Sequence, residues 1–561
     1  MRRACLAVLT TLVGCHSPEY KIYQEQQAKF ASNGSDSSGE QTTTTDDTGP
    51  ESTSTSTSEG MSATETADST GPAPPMDTGT GTDAPTDTTD SPPVGEDDKP
   101  VIVSVELPDT VYTAGPVPLS VQTVYTASVR VTLDGADAGP LLMAGGGLFI
   151  GELPVRGAVD NGSHAIEVIA TQGEYEDRRP DSYDVKAPKP GAEAWTIDGP
   201  PGSRNNRVAV SPAGHLVEVG HTEIDGVPYP TLRTRSSLTG AELEPAKLLD
   251  TREGAAVDVA VLADGRMWVA MNVREQGKDS RARIALLDAN GDATGAELTG
   301  AAGRLVRGIA ADASGGCFAV GVAGVMGDWD IAYWRIDAAG VPTLGDTFDY
   351  QPPEALAHSF VDLANDVVID GDVVYMVGTS TGEHDNFNLR TRGIIATRDL
   401  HTGEAIAPVV VAPVLVGDDW QQSAFFGAAP APGGVLVTGY GSDKTSSKYR
   451  IETSFYSAAG LRTWHKKEAE YDKLAYGSDV VLDSQGRVLV AGAVTQNGKL
   501  RGYVFGRLTD EDGTSVFEHW FPGAGTSEGL GVVRDGFDRI FVVGYITANG
   551  STLAQSMRIH G

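Results

Sequence analysis

Cysteine is nearly missing from this chain. Its 561 residues hold three, Cys5, Cys15 and Cys317. Their separations form neither a zinc-ligand pair nor a redox pair, and three are too few for a disulfide framework. Tryptophan is absent before residue 195, and all seven copies fall between there and 520, so the large folded mass belongs to the C-terminal two-thirds. Residues 31–98 contain no lysine, no arginine and no aromatic residue. Positive charge is scarce throughout: 42 Lys and Arg stand against 76 Asp and Glu, a formal net charge of −34. Such a surface repels polyphosphate, which excludes nucleic acid as a partner. The ten histidines show no HxH or HExxH spacing. No GxSxG elbow, P-loop or dinucleotide fingerprint that follows a strand and opens a helix occurs. The sequence therefore predicts no metal and no cofactor, and it gives an enzyme no catalytic signature.

The first residues, MRRACLAVLTTLVGC, place Arg2 and Arg3 before an apolar run over 4–14. The run reads as a secretory signal, too short to cross a bilayer core of about 30 Å as a helix. Its ending, Leu12, Val13, Gly14 and Cys15, resembles the bacterial lipobox. That resemblance implies a lipoprotein signal peptide over 1–14, cleaved after Gly14, with a diacylglycerol on the Cys15 thiol and a further acyl chain such as palmitate on its amine. Several chains together hold a protein on a membrane stably, where one does not. His16 rather than Asp follows the cysteine. By the sorting pattern of double-membraned bacteria this implies an outer-membrane destination, on the periplasmic or the surface side. A plain secretory signal with a chance cysteine is the alternative.

Residues 15–99 make a lipidated N-terminus and a linker. Within 31–98 there are fifteen Asp or Glu in a background of Thr, Ser, Gly and Pro, which cannot bury enough apolar surface to offset the entropy of ordering. The expectation is a disordered acidic linker spanning on the order of 45 Å as a flexible coil, and more with self-repulsion. It reads equally as a stalk or as a spacer without a length requirement.

Across 100–187, short β-branched runs alternate apolar and polar and are separated by Gly, Pro, Asp and Asn. Strands are predicted at 101–106, 117–123, 127–133, 147–153, 163–171 and 181–186. The density of strands suggests a sandwich. It resembles the immunoglobulin-like modules of bacterial surface proteins in architecture, without their Cys–Trp–Cys signature.

The rest of the chain repeats one phrase seven times: VAVSPAGHLVEVG (208–220), VAVLADGRMWVAM (259–271), IAADASGGCFAVG (309–321), VVIDGDVVYMVG (367–378), GAAPAPGGVLVTG (427–439), VVLDSQGRVLVAG (480–492) and VVRDGFDRIFVVG (532–544). With Gly220, Ala270, Gly321, Gly378, Gly439, Gly492 and Gly544 as the ruler, the spacings are 50, 51, 57, 61, 53 and 52. Each phrase is a strand, a tight Gly/Asp turn and a second strand, so apolar that both faces must be covered. A third strand follows (RIALLDANGD, YWRIDAAGV), then a fourth bearing an aromatic (Trp464; Phe517 and Trp520). Four strands in about fifty residues, seven times over, predict an all-β fold with a seven-bladed β-propeller over 190–561. The repeats resemble those of kelch-like and related bacterial surface propellers, although no family dipeptide recurs. The chain ends on a third strand, LAQSMRIHG, while AEAWTIDGP (192–200) reads as a fourth strand without its first three. Pairing of 193–198 beside 553–559 would close the ring and leave no open edge.

In a propeller the turns joining first to second and third to fourth strands share one face. Here they are short. The other face carries longer loops: 327–330, 382–388, 416–425 and 469–478. Loops on a rigid frame are where binding residues concentrate, which makes Trp329, His384, Asp385, Asp419 and Trp420 the candidates for ligand binding near the channel. Each is also explicable as a solvated loop residue or an aromatic capping a blade. DANGD (288–292) imitates a calcium loop, but Ala293 and Thr299 stand where that pattern has Gly and Glu, so it reads as a turn. Asp418 and Asp419 could support acid–base work, but acidic pairs are common in so acidic a chain. Cys317 in GCFAVG reads as a small packed hydrophobe. The expected function is a lipid-anchored envelope protein presenting the propeller as a binding or scaffolding head for a protein or glycan. The alternative is a propeller enzyme, a glycan lyase or hydrolase, at the channel mouth.

Overall fold

Alternation along Gly115–Val124 sends Val117, Leu119 and Val121 inward and Pro118 and Ser120 outward, the period-two signature of a half-covered sheet. In the computed structural model of the protein, the described residues are 99–112, 114–156, 160–325, 328–350, 359–384, 388–412, 420–443, 449–468, 474–509, 513–523 and 525–561. The expected signal peptide, Cys15 and the acidic segment before residue 99 lie outside them. Gly115–Val124 belongs to a four-stranded sheet in the order Val101–Glu106, Gly115–Val124, Leu148–Val155, Leu142–Gly145. A second sheet orders Thr110–Val111, Tyr175–Val185, Gly162–Gln172, Ser128–Leu133 and Ala136–Pro140. Val117, Leu119, Phe149 and Leu153 of the first share one core with Val129, Val131, Ile166, Val168 and Tyr183 of the second. Three strands escape the sequence pattern, Thr110–Val111, Ala136–Pro140 and Leu142–Gly145, and none of them contains a buried residue. Without a buried side they carry no alternation to read.

Beyond residue 192 the chain forms seven four-stranded antiparallel blades. Six are continuous, over 203–248, 253–299, 305–348, 359–411, 420–467 and 475–520. The seventh takes Ser527–Arg534, Ile540–Ala548 and Ser551–Ile559 from the end of the chain and Glu193–Pro201 from before the first blade. Trp195 pairs with Arg558, Thr196 with Met557 and Ile197 with Ser556. The row Phe541, Arg558, Trp195 matches Leu436, Phe455, Trp464 of the fifth blade, so Trp195 fills the Trp464 position across the chain ends. One parallel bridge, Trp329 to Val361, also ties the third blade to the fourth.

Each hairpin is buried on both faces because a neighbouring blade covers each side. Val488–Gln496, for example, has seven buried residues in succession. The apolar clusters fall between successive blades around the ring, from first-to-second through sixth-to-seventh and back to the first. All seven innermost strands carry a β-bulge at the same point, at Asn206, Val257, Arg307, Asn365, Phe426, Ser478 and Leu530. The bulge explains the glycine ruler. A Cβ on Gly220, Gly321, Gly378, Gly439, Gly492 or Gly544 would collide with the carbonyl oxygen of the bulged strand opposite. The second blade corrects the ruler by one residue: Met271, not Ala270, faces the residue before the bulge. There the close approach moves to Gly254, whose added Cβ would strike the Asn272 carbonyl.

Candidate functional site: the propeller axis

The bulges aim one residue from each innermost strand at the axis. In blade order these are Arg207, Asp258, Gly308, Asp366, Gly427, Asp479 and Gly531. The axis is too narrow for seven side chains. A Cβ on Gly308 would lie 2.8 Å from the Asp366 Cα, one on Gly427 2.6 Å from the Asp479 Cα, and one on Gly531 3.2 Å from the Arg207 Cα. Side chain and glycine must therefore alternate. Seven is odd, so one adjacent pair must be of the same kind; here it is Arg207 and Asp258, two side chains of opposite charge at 3.8 Å.

Each aspartate staples its blade to the next. Asp258 Oδ1 accepts the Val259 N–H at 2.8 Å, and Oδ2 accepts the Ile309 N–H of the third blade at 2.8 Å. Asp366 accepts from Val367 at 2.8 Å and from Ala428 of the fifth blade at 2.9 Å. Asp479 accepts from Val480 at 2.9 Å and from Val532 of the seventh blade at 2.8 Å. Arg207 donates to the Leu530 carbonyl of the seventh blade, and its Nη2 lies 3.9 Å from Asp366 Oδ2. Asn206 and Asn365 on the bulges also reach across, to the Ala256 carbonyl at 2.7 Å and the Phe425 carbonyl at 2.8 Å.

Burial dominates the protonation of this cluster. It pushes Asp366 up to about 8, with Arg207 pulling the other way and Asp258 and Asp479 adding to the rise. Burial likewise pushes Asp258 up to about 6 against the pull of Arg207, and it raises Asp479. Burial also works against the charge of Arg207, but the three carboxylates outweigh it and raise its pKa. The guanidinium stays charged.

Three residues before Arg207, Asp479 and Gly531 lie Arg204, Tyr476 and Glu528, which form a second buried network with Tyr545. Tyr545 Oη donates to Glu528 Oε1 at 2.7 Å, and Tyr476 also hydrogen-bonds Glu528. The Arg204 guanidinium lies 3.8 Å from Glu528 Oε2 and 4.6 Å from the Tyr545 ring centre. Burial first, and then Glu528, raise Tyr476 well above the ordinary phenol range, so it remains a protonated donor. Both networks bind blade to blade.

Of the predicted site residues, Trp329 lies within a strand, Asp328–Ile336, rather than on a loop, and is half-buried. His384 ends the strand Val373–His384 and Trp420 begins Trp420–Ala431, so both backbones belong to blades. Asp385 and Asp419 lie outside the described residues, as do the side chains of His384 and Trp420. Of the five side chains only that of Trp329 is among those described, so their grouping lies outside the described residues. Asp288 Oδ1 accepts the Asn290 and Asp292 N–H groups at 2.9 and 2.8 Å, which is turn geometry. Cys317 is fully buried, and burial raises its thiol pKa. No group of three or more His, Cys, Asp or Glu able to hold a metal occurs among the described residues.

No known protein family and no curated protein matches the sequence. Among solved structures, the β-propeller domain of the Trilobed protease from Pyrococcus furiosus is similar at a TM-score of 0.36 and 11% identity, over 65% of this chain and 94% of that one. Sqt1 from Chaetomium thermophilum is similar at 0.34 and 11%, over 66% and 99%. The polysaccharide lyase Uly1 is similar at 0.39 and 12%, over 63% and 89%. At these identities the likeness is one of fold and extends to no activity.

Proposed function

We propose that this chain is a lipid-anchored protein of the bacterial envelope, held at the outer membrane through Cys15, whose propeller serves as a binding or scaffolding head. The observation that supports a head over an enzyme is the closure of the axis on itself. Arg207, Asp258, Asp366 and Asp479 are engaged with one another and with the backbones of neighbouring blades. Arg204, Tyr476, Glu528 and Tyr545 are buried in the same manner. Acid–base chemistry needs titratable groups within reach of a substrate, whereas these groups hold the ring. A rigid ring then presents the face on which the second and third strands of its blades join to a protein or glycan. The net charge of −34 disfavours nucleic acid.

Two experiments test the two halves. Cys15→Ala should move the protein from the membrane fraction to the soluble fraction; continued membrane retention would end the lipoprotein reading. The protein starting at residue 16 should show saturable binding on a glycan array or in affinity capture, without turnover. Cleavage of an arrayed polysaccharide would replace the head with a lyase or hydrolase.

A further inference from the structure

At the axis, three carboxylates share one guanidinium inside a ring that excludes most water. If all four were charged, the cluster would carry two surplus negative charges among groups a few ångströms apart, where the effective dielectric is low. The backbone N–H donors at each carboxylate ease this but bring no net charge. The other elements packed around the cluster supply little more. From Leu305–Ala311, the Arg307 guanidinium reaches Asn365 Oδ1, next in sequence to Asp366, at 3.4 Å. Trp420–Ala431 and Ser527–Arg534 present Gly427 and Gly531 to the axis, flanked by Phe426 and Leu530. Glu528 is held by Tyr545 and Arg204.

We propose that the axial cluster binds one structural proton at neutral pH, and that this proton is a ligand of the ring, so that the propeller tightens as pH falls and loosens as the proton is lost. The proton comes from solvent and adds to one carboxylate, which becomes a neutral carboxyl and lowers the surplus charge from two to one. Asp366 is its place, because burial and two like charges act on it against a single contact with Arg207 at 3.9 Å. A carboxyl whose folded pKa lies above its unfolded value of 3.8 contributes stability that is fully present below that value. For Asp258 the contribution fades as pH rises through about 6, and for Asp366 through about 8. This is opposite in sign to ordinary acid denaturation. His560, lowered by burial and by Arg558, acts in the other direction, but only below its unfolded value of 6.5.

All seven tryptophans lie between 195 and 520, so their fluorescence reports the melting of the propeller and not of the sandwich. Between pH 6.5 and 8.5 the wild-type Tm should fall by several degrees. Asp366→Asn should flatten that slope and melt above the wild type at pH 8.5. The two proteins share Cys317 and His560, so the difference between their slopes isolates Asp366. A wild-type Tm that is constant or rising across this range, or an unchanged slope in Asp366→Asn, would overturn the proposal. Should that variant fail to fold, infrared spectra of the wild type in heavy water decide the matter. A buried carboxylic-acid carbonyl band present at pH 7 and gone by pH 9 supports the proton; its absence at pH 7 removes it.

Discussion

Two interfaces of the same ring are built from different materials. Between the second and third blades, Trp268, Ile284, Leu286, Val306, Ile309, Trp334 and Ile336 make a continuous apolar layer, with the Trp268 Nε1–H donating to the Gly315 carbonyl at 3.1 Å. Between the seventh and first blades, where the chain ends meet, the buried apolar cluster shrinks to Val208, Leu216, Phe541 and Val543. Polar groups fill the remainder of that seam. Asn205 of the first blade donates to Ser556 of the seventh at 3.1 Å, and Ser203 Oγ accepts the Ala554 N–H at 3.1 Å; behind them, within the first blade, Asn205 also donates to a fully buried Glu218 at 2.8 Å, which pairs with Arg235 at 3.0 Å, and within the seventh Gln555 donates to Asp198 at 2.7 Å. Apolar layers stabilise without direction, whereas hydrogen-bonded and ionic groups fix register at a cost in desolvation. Six interfaces form between blades that follow each other along the chain. The seventh must select its partner across more than 350 residues, and there the hydrogen bonds of Asn205 to Ser556 and of Ala554 to Ser203 stand beside a small apolar cluster.

Breaking the seam outright should have the largest effect. Deletion of residues 190–199 removes the fourth strand of the seventh blade and exposes Ser551–Ile559 as a bare edge; the expected result is loss of the cooperative propeller transition in tryptophan fluorescence. Trp268→Ala probes the apolar interface, at an expected cost of about 3–5 kcal/mol in denaturant unfolding. Glu218→Ala leaves the buried Arg235 with only the more exposed Glu242, at 3.3 Å, as counter-charge and should cost about 3 kcal/mol. The sharper form of this test replaces the pair together: Glu218→Leu with Arg235→Met should restore most of that loss, since an apolar pair of similar volume does not have to be desolvated. If the double variant is as unstable as the single, the seam pair contributes more than charge balance. Gly427→Ala at the axis should cost about 1–3 kcal/mol, because its Cβ meets the Asp479 backbone.

The ring was legible in the sequence because a covered hairpin writes apolar residues on both faces and, in six of the seven repeats, a glycine at the same point. The closing strand was legible because Trp195 repeats the place of Trp464. The axial cluster was missed by one residue. The aligned phrases mostly begin at 208, 259, 309, 367, 480 and 532, immediately after Arg207, Asp258, Gly308, Asp366, Asp479 and Gly531. The alternation of aspartate and glycine stands just outside the repeated words. Loop chemistry drew attention to Trp329 and Asp419 instead, since a lone aspartate before an apolar run looks like a strand boundary. Only the bulge, which no residue type announces, turns that position toward the axis. The seam network was hidden for a related reason: Arg204, Glu218 and Glu528 occupy strand positions that are apolar or small in most other blades.

The claim on which the account rests is that the two ends of the propeller chain share one blade in one register. Asp198 and Gln555 face each other across the outermost strand pair, so the double variant Asp198→Cys/Gln555→Cys tests it most directly. Mild oxidation of the folded protein should link the two positions nearly completely, as read by mass spectrometry of the digest. A control displaced by two residues, Asp198→Cys/Met557→Cys, should remain reduced. Failure of the first pair to link, or equal linking in both, would contradict the closed ring.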